Sequence, residues 1–258
     1  MDDLRYEVDG PVARLTIDRP ERRNAMSFEV MQGLRDGVAA AKADDAVRVV
    51  VLTGAGDRAF CSGADLGGIA GTDSASGAHE GRGLLADLFR DLWSLGKPTI
   101  ARVRGYALAG GFGLALACDF VIAADDAQFG TPEVNVGLWP YMITVPLCRS
   151  MPPKKALELM MTGRRIDAAE ADRLGMLTRV VSADELDVAV AALTTELASK
   201  SPSVMKLGRS SFYSVWDQSA VDALAQLHPL LTVNTALEDA AEGITAFIEK
   251  RPPAWHDR

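Results

Sequence analysis

Histidine and cysteine are scarce in this chain, with three of each among 258 residues. His79, His228 and His256 lie far apart, and no HExxH run or His/Cys cluster occurs, so a metal site is not expected. Cys61, Cys118 and Cys148 are odd in number and lack CxxC spacing, which argues against a disulfide scaffold and fits a reducing compartment. None has a neighbouring His or Lys pattern that would activate a thiolate, and Cys118, inside an apolar run, reads as buried and inert. Basic charge is also short: 27 Lys and Arg face 35 Asp and Glu, for a net charge of −8. Nucleic-acid binding draws on a basic face, so no such partner is expected. The uncharged stretch Gly105–Cys118 has only 14 residues and is rich in glycine, too short to span a bilayer. The opening MDDLRYEVDG has no apolar signal region. A cytoplasmic protein with no membrane partner is expected. GxSxG, GxGxxG and GxxxxGK[ST] are all absent, which removes serine-hydrolase, Rossmann and P-loop readings.

What is present suits a globular enzyme. Hydrophobic residues make up 48% of the chain and charged residues 24%, enough to build a large core without disulfides. Val12–Asp18 alternates apolar and polar positions, the pattern of a half-buried strand. Ser27 caps a helix with Phe28, Met31, Leu34 and Val38 at helical spacing. Arg48–Thr53 is a continuous apolar strand, typical of a sheet covered on both faces. Residues Gly63 to Gly83 hold little that could pack, and a helix is predicted over Leu84–Leu95. Strands Thr99–Val103 and Phe120–Ala124 flank an apolar helix over Gly113–Cys118. Strand then helix recurs, so an α/β layer fold is expected. The last third changes character. Lys154–Met161, Ala168–Leu174, Ala183–Ser199, Ser203–Trp216 and Thr235–Lys250 read as helices, with one strand, Leu177–Val181, among them.

Two glycine-rich turns stand out. Phe60-Cys-Ser-Gly-Ala-Asp65 follows a buried strand, and Gly105-Tyr-Ala-Leu-Ala-Gly-Gly111 precedes an apolar helix. Glycine lets backbone approach a ligand closely, and a helix start offers unpaired N–H groups. Two such amides aimed at one point would make an oxyanion hole. Each turn by itself is equally a plain tight turn. Thr131-Pro132-Glu133 has a cap residue, proline at the first helical position and an acid in the first turn. Glu133 is either a catalytic acid or simple dipole complementarity.

The stretch Lys97-Pro-Thr-Ile-Ala-Arg-Val-Arg-Gly-Tyr-Ala-Leu-Ala-Gly-Gly-Phe-Gly-Leu-Ala-Leu-Ala-Cys-Asp119 resembles the signature of the enoyl-CoA hydratase/isomerase (crotonase) superfamily. Asp18–Met26, Phe60–Leu66, Gln128–Glu133, Leu159–Gly163 and Phe247–Pro253 resemble further segments of that family, in its order. The resemblance implies an α/β spiral of β-β-α turns with a C-terminal helical trimerisation region. Residues 1–200 would form the core with an acyl-CoA site, and residues 201–258 a helical oligomerisation or lid region. It implies a homotrimer or homohexamer and needs no cofactor, coenzyme A being part of the substrate. The thioester carbonyl would be held by the amides of Ala64 and Gly110. The substrate would lie along Arg22, Arg23, Ala25, Ser62, Ala64, Asp65, Leu66, Gly110 and Gly113.

Two departures from the family pattern bear on the reaction. Hydratases of the family place a second glutamate three residues after the second oxyanion glycine, where this chain has Gly113; the other glutamate falls on Glu133. One carboxylate can act alternately as base and acid, as in moving a double bond, but cannot share a water with a partner. Pro140-Tyr141 stands where hydratases carry a glycine-rich run and resembles the methylmalonyl-CoA decarboxylase branch, in which a tyrosine contributes to the site. Tyr141 is thus either catalytic or a pocket-wall aromatic. The expected activity is single-glutamate proton transfer on an acyl-CoA, isomerase-type or weakly hydratase. The alternatives are a decarboxylase-like enzyme and an acyl-CoA binder that has lost catalysis.

Overall fold

A computed structural model of the chain describes residues 3–65 and 75–257. β1 (Leu4–Asp9) pairs antiparallel with β2 (Val12–Ile17) around Gly10, whose φ of +53° suits glycine. β1 buries only Leu4, whereas β2 buries Ala13, Leu15, Thr16 and Ile17. Helix α1 (Phe28–Ala43) starts where its cap predicts, Val30 N donating to Ser27 Oγ at 3.3 Å. Val30, Met31, Leu34 and Val38 form its buried stripe. β3 (Val49–Gly54) is buried along its whole length.

From β3 the chain winds in repeated turns. β3 leads to β4 (Ala59–Cys61) and α2 (Ala75–Trp93); β5 (Thr99–Val103) leads to β6 (Tyr106–Leu108) and α3 (Gly110–Ala117). β7 (Phe120–Ala124) leads to β8 (Gln128–Gly130) and a 3-10 helix, Pro132–Val136. After α4 (Thr144–Ser150) and α5 (Pro153–Thr162) come β9 (Arg165–Asp167), α6 (Ala168–Arg173) and β10 (Arg179–Val181). The first strand of each turn joins a sheet ordered β1-β2-β3-β5-β7-β10, and the second joins a sheet ordered β4-β6-β8-β9. β3, β5 and β7 run parallel, as do β4, β6 and β8. This is an α/β spiral of β-β-α turns. Phe60, Phe112 and Phe129 are fully buried in it, the last two with ring centroids 5.4 Å apart. Helices α7 (Leu186–Ala198), α8 (Pro202–Val215), α9 (Ala220–Thr235) and α10 (Glu238–Glu249) complete the chain.

Boundaries differ from the sequence reading at several points. Helix α2 starts at Ala75 rather than Leu84, although Gly77, Gly81 and Gly83 lower its intrinsic propensity. Packing decides: a Cβ on Gly81 would stand 2.4 Å from the Phe28 ring, so glycine is what lets α2 lie close on α1. Helix α3 starts at Gly110 rather than Gly113. The helix predicted over Thr235–Lys250 is broken at Ala236 and Leu237, where α9 ends and α10 begins. Helix α9 buries none of its residues, and Val221, Leu224 and Leu231 on it are 77%, 68% and 63% exposed in the single chain.

Candidate active site

The two glycine-rich turns meet. A parallel bridge joins Ala64 to Met26, with Met26 N donating to Gly63 O and Asp65 N to Met26 O, both at 2.8 Å. Ser62 N donates to Arg23 O at 3.1 Å, so the loop is fastened along both sides to the segment after β2. Gly63 has φ +102°, and a Cβ there would lie 2.7 Å from Ala109 Cβ and 3.3 Å from Gly110 N. Only glycine fits both demands. From the other side, Ala109 turns β6 directly into α3 with φ +50° and ψ −129°. A residue with a Cβ pays on the order of 1–3 kcal/mol for such a conformation, and the surrounding structure holds it there. Ala109 N donates to Gly130 O at 2.9 Å.

The outcome is a pair of neighbouring amides. The Cβ position of Gly110 lies 3.9 Å from Ala64 N. Among the described residues neither Ala64 N nor Gly110 N donates to an acceptor. Gly110 is also the first residue of α3, where the helix dipole is positive. Fixed donors of this kind suit a developing negative charge on oxygen.

The segment before α1 is organised by two residues that the sequence reading did not single out. Asn24, with φ +55° and no exposed surface, accepts from Arg19 N at 3.0 Å and donates to Ala55 O and Ala59 O at 3.0 and 2.6 Å. Arg19, 7% exposed, donates to Ala25 O at 2.6 Å and pairs with Asp65 at 3.0 Å and Asp3 at 3.0 Å. Arg22 is largely exposed and also pairs with Asp65, at 3.1 Å. These bonds tie Arg22, Arg23, Ala25, Ser62 and Asp65 into one neighbourhood around Ala64. Leu66 lies outside the described residues.

Glu133 stands on the 3-10 helix that follows β8. Leu108 is registered with Gly130 in the second sheet, which sets the Glu133 segment beside the Ala109–Gly110 turn. The carboxyl is half-buried and its Oε2 has no hydrogen-bond partner. Burial strips its water and pushes its pKa up to about 7, against the opposing pull of its own backbone N–H. Thr131 was expected to cap this helix. Its side chain makes no capping bond; it is fully buried and its hydroxyl is also without a partner. The reason is backbone geometry: at φ −121° and ψ 70°, Thr131 does not adopt the usual N-cap conformation.

Gly113, expected among the substrate contacts, has close neighbours on its Cα. It is buried in α3, and a Cβ there would meet Ile143 Cγ2 at 2.3 Å, Ile143 Cβ at 2.7 Å and Phe89 Cζ at 3.1 Å. Ile143, 2% exposed, covers the position. Nothing in the sequence links these two residues, because Ile143 arrives from the turn that opens α4. Tyr141, two residues earlier, is 74% exposed. The thiol Cys61 is buried and pushed up to about 12 by desolvation, so it stays protonated. Cys118 is buried with its pKa raised by the same cause, while Cys148 is exposed. Among the described residues no group of three or more His, Cys, Asp and Glu could hold a metal ion. No described helix is long and apolar enough to cross a membrane.

Comparison with known proteins identifies the family. The sequence model of the family described as Enoyl-CoA hydratase/isomerase matches residues 7–258. A probable enoyl-CoA hydratase, echA8, of Mycobacterium bovis is 36% identical over 256 residues, covering 98% of this chain and 97% of the relative. A protein named crotonyl-CoA hydratase from Syntrophomonas wolfei is 35% identical over 246 residues, covering 95% and 94%. The crystal structure of an enoyl-CoA hydratase from Mycobacterium smegmatis superposes with a TM-score of 0.94 at 32% identity, covering 98% of this chain and 99% of that one. The chain belongs to the enoyl-CoA hydratase/isomerase family of enzymes, within the crotonase superfamily.

Proposed function

We propose that this enzyme moves a proton on an acyl-CoA thioester through Glu133 while the amides of Ala64 and Gly110 hold the enolate oxygen. The observation that carries the reading is the state of Glu133: half-buried, one oxygen unpaired, and poised at a pKa of about 7. A group near neutrality serves equally as base and acid, which a proton shuttle between two carbons of one substrate requires. The Gly113 position is filled by Ile143, so no second carboxylate stands there to share a water. Double-bond isomerisation is the favoured chemistry, with slow hydration beside it. The coenzyme A moiety lies along Arg22, Arg23, Ala25, Ser62 and Asp65, and no separate cofactor takes part. The decarboxylase-like alternative leans on Tyr141, whose exposure in the single chain lends it no support. A pure acyl-CoA binder would have no use for an acid poised as Glu133 is. The protein acts in the cytoplasm as a trimer or hexamer. Assaying a 3-enoyl-CoA, crotonyl-CoA and methylmalonyl-CoA side by side tests the reading. Turnover is expected to be fastest on the 3-enoyl thioester; faster decarboxylation, or hydration at a typical hydratase rate, would overturn it.

A further inference from the structure

Helix α8 has 14 residues, and the only one it buries is a charged one, Arg209. An arginine is expensive to bury unless it is paired and every donor is used. Arg209 Nε donates to Asp119 Oδ2 at 2.8 Å, Nη1 to Trp93 O at 3.0 Å and Nη2 to Leu92 O at 2.8 Å. Its guanidinium also lies 4.8 Å from the centre of the Tyr213 ring, and Tyr213 Oη donates to Asp119 Oδ1 at 2.6 Å. Asp119 is completed by Thr99, whose N and Oγ1 donate to Oδ2 at 2.8 and 3.0 Å.

Both anchors of Arg209 lie on the frame of the site. Leu92 and Trp93 are the last residues of α2, where a helix leaves carbonyls without intrahelical donors; Leu92 O also accepts from Leu95 N at 3.3 Å. Asp119 follows the end of α3, whose first residue is Gly110. Leu85 and Phe89 lie on the α2 face that leads back from this end. Leu85 Cδ2 lies 3.2 Å from the Cβ position of Gly110, and Phe89 Cζ 3.1 Å from that of Gly113. One guanidinium thus grips the far ends of the two helices that hold the Gly110 amide. Helix α3 is eight residues long, about 12 Å, and transmits a shift at one end to the other with little loss. All eight residues of α3 are buried, so packing holds the body of the helix while the guanidinium ties its end. A cavity of about 480 Å³, lined by Trp93, Asp119, Tyr213 and Trp216 among others, lies beside the clamp.

We propose that Arg209 is a positioning residue that sets the Gly110 amide through the ends of α2 and α3, and so makes the site depend on the seating of α8. The proposal rests on the reading of Ala64 and Gly110 as the oxyanion donors. Acetoacetyl-CoA is the probe, because its enolate has an ultraviolet band that strengthens when an oxyanion hole holds it. In Arg209→Ala, affinity for CoA alone stays within about threefold of wild type, while the enolate band weakens and kcat falls about tenfold or more at unchanged KM. Arg209→Lys, which keeps a charge for Asp119 but cannot reach both carbonyls, falls between the two and serves where the alanine variant does not fold. Wild-type kcat and enolate band in either folded variant would overturn the proposal. So would a parallel loss of CoA affinity and enolate that lysine does not relieve. Should wild type itself show no enolate band, the oxyanion reading fails, and the clamp is judged by hydrogen exchange at Gly110–Gly113. Faster exchange in the variants upholds it and equal exchange overturns it.

Discussion

Ile143 occupies the space that any side chain on Gly113 would need, with Cγ2 at 2.3 Å and Cβ at 2.7 Å from that glycine's Cβ position. Gly113→Glu alone is therefore expected to overpack the core, at about 1–3 kcal/mol, and to add no hydration. Ile143→Ala would not make enough room, because its own Cβ is the atom at 2.7 Å. The combination Gly113→Glu with Ile143→Gly removes both contacts and is expected to raise crotonyl-CoA hydration on the order of 10²-fold. A folded double variant that binds CoA and hydrates no faster than wild type refutes this account of the missing second acid.

Glu133 carries the second prediction. Glu133→Gln should lower turnover on the order of 10²–10⁴-fold and leave CoA affinity nearly unchanged. In wild type, kcat/KM for isomerisation should rise with pH through about 7 as the base form appears. Stability runs the other way. Burial favours the neutral carboxyl, so its contribution is full below the ordinary value of 4.5 and is lost as pH rises through about 7. Thermal melting is expected to show Glu133→Gln above wild type at about pH 8 and level with it near pH 4. A melting difference independent of pH would contradict the burial argument.

Two glycines should respond oppositely to alanine. At Gly63 a methyl group meets Ala109 Cβ at 2.7 Å in a backbone at φ +102°, so the two amide loops must separate. Gly63→Ala is expected to cost on the order of 10²-fold in kcat through the displaced oxyanion donor. At Gly83, inside α2, an added Cβ meets nothing within 4 Å. Gly83→Ala should stabilise the protein by about 0.5–1 kcal/mol with unchanged kinetics. Denaturant unfolding and steady-state kinetics on the pair check both halves.

Assembly is the fourth prediction. Val221, Leu224 and Leu231 on α9, together with Phe247 and Ile248 on α10, are 63–85% exposed in the single chain. Apolar surface on that scale asks for a partner, and rotational symmetry lets identical subunits supply it. Light scattering should give three or six times 27.5 kDa, and Leu224→Glu with Leu231→Glu should shift the mass toward one. A wild-type mass near 27.5 kDa at micromolar concentration refutes it.

Strands β2, β3, β5 and β7 are legible in the sequence because each is long enough to show alternation or a continuous apolar run. β4, β6, β8 and β9 have three residues each, too few for a period to show. The two amide loops are legible as glycine clusters, but the strain at Ala109 is not, since alanine gives no sign of a positive φ. Glu133 could be singled out by position alone, whereas its raised pKa depends on burial that no local pattern encodes. Arg19, Asn24 and Ile143 went unassigned for a common reason: each acts through a contact that folding creates between segments far apart in the chain.

The pairing of Arg209 with Asp119 bridges 90 residues of chain. Its loop is among the costlier ones to close, and β10 and α7 lie within it. During synthesis, both amide loops and Glu133 leave the ribosome well ahead of Arg209. A chain made only as far as α7 contains every strand of both sheets and Glu133 while the Gly110 amide still lacks its far support. On the proposed role of Arg209, the Gly110 amide gains its support only once the final fifth of the chain has been made.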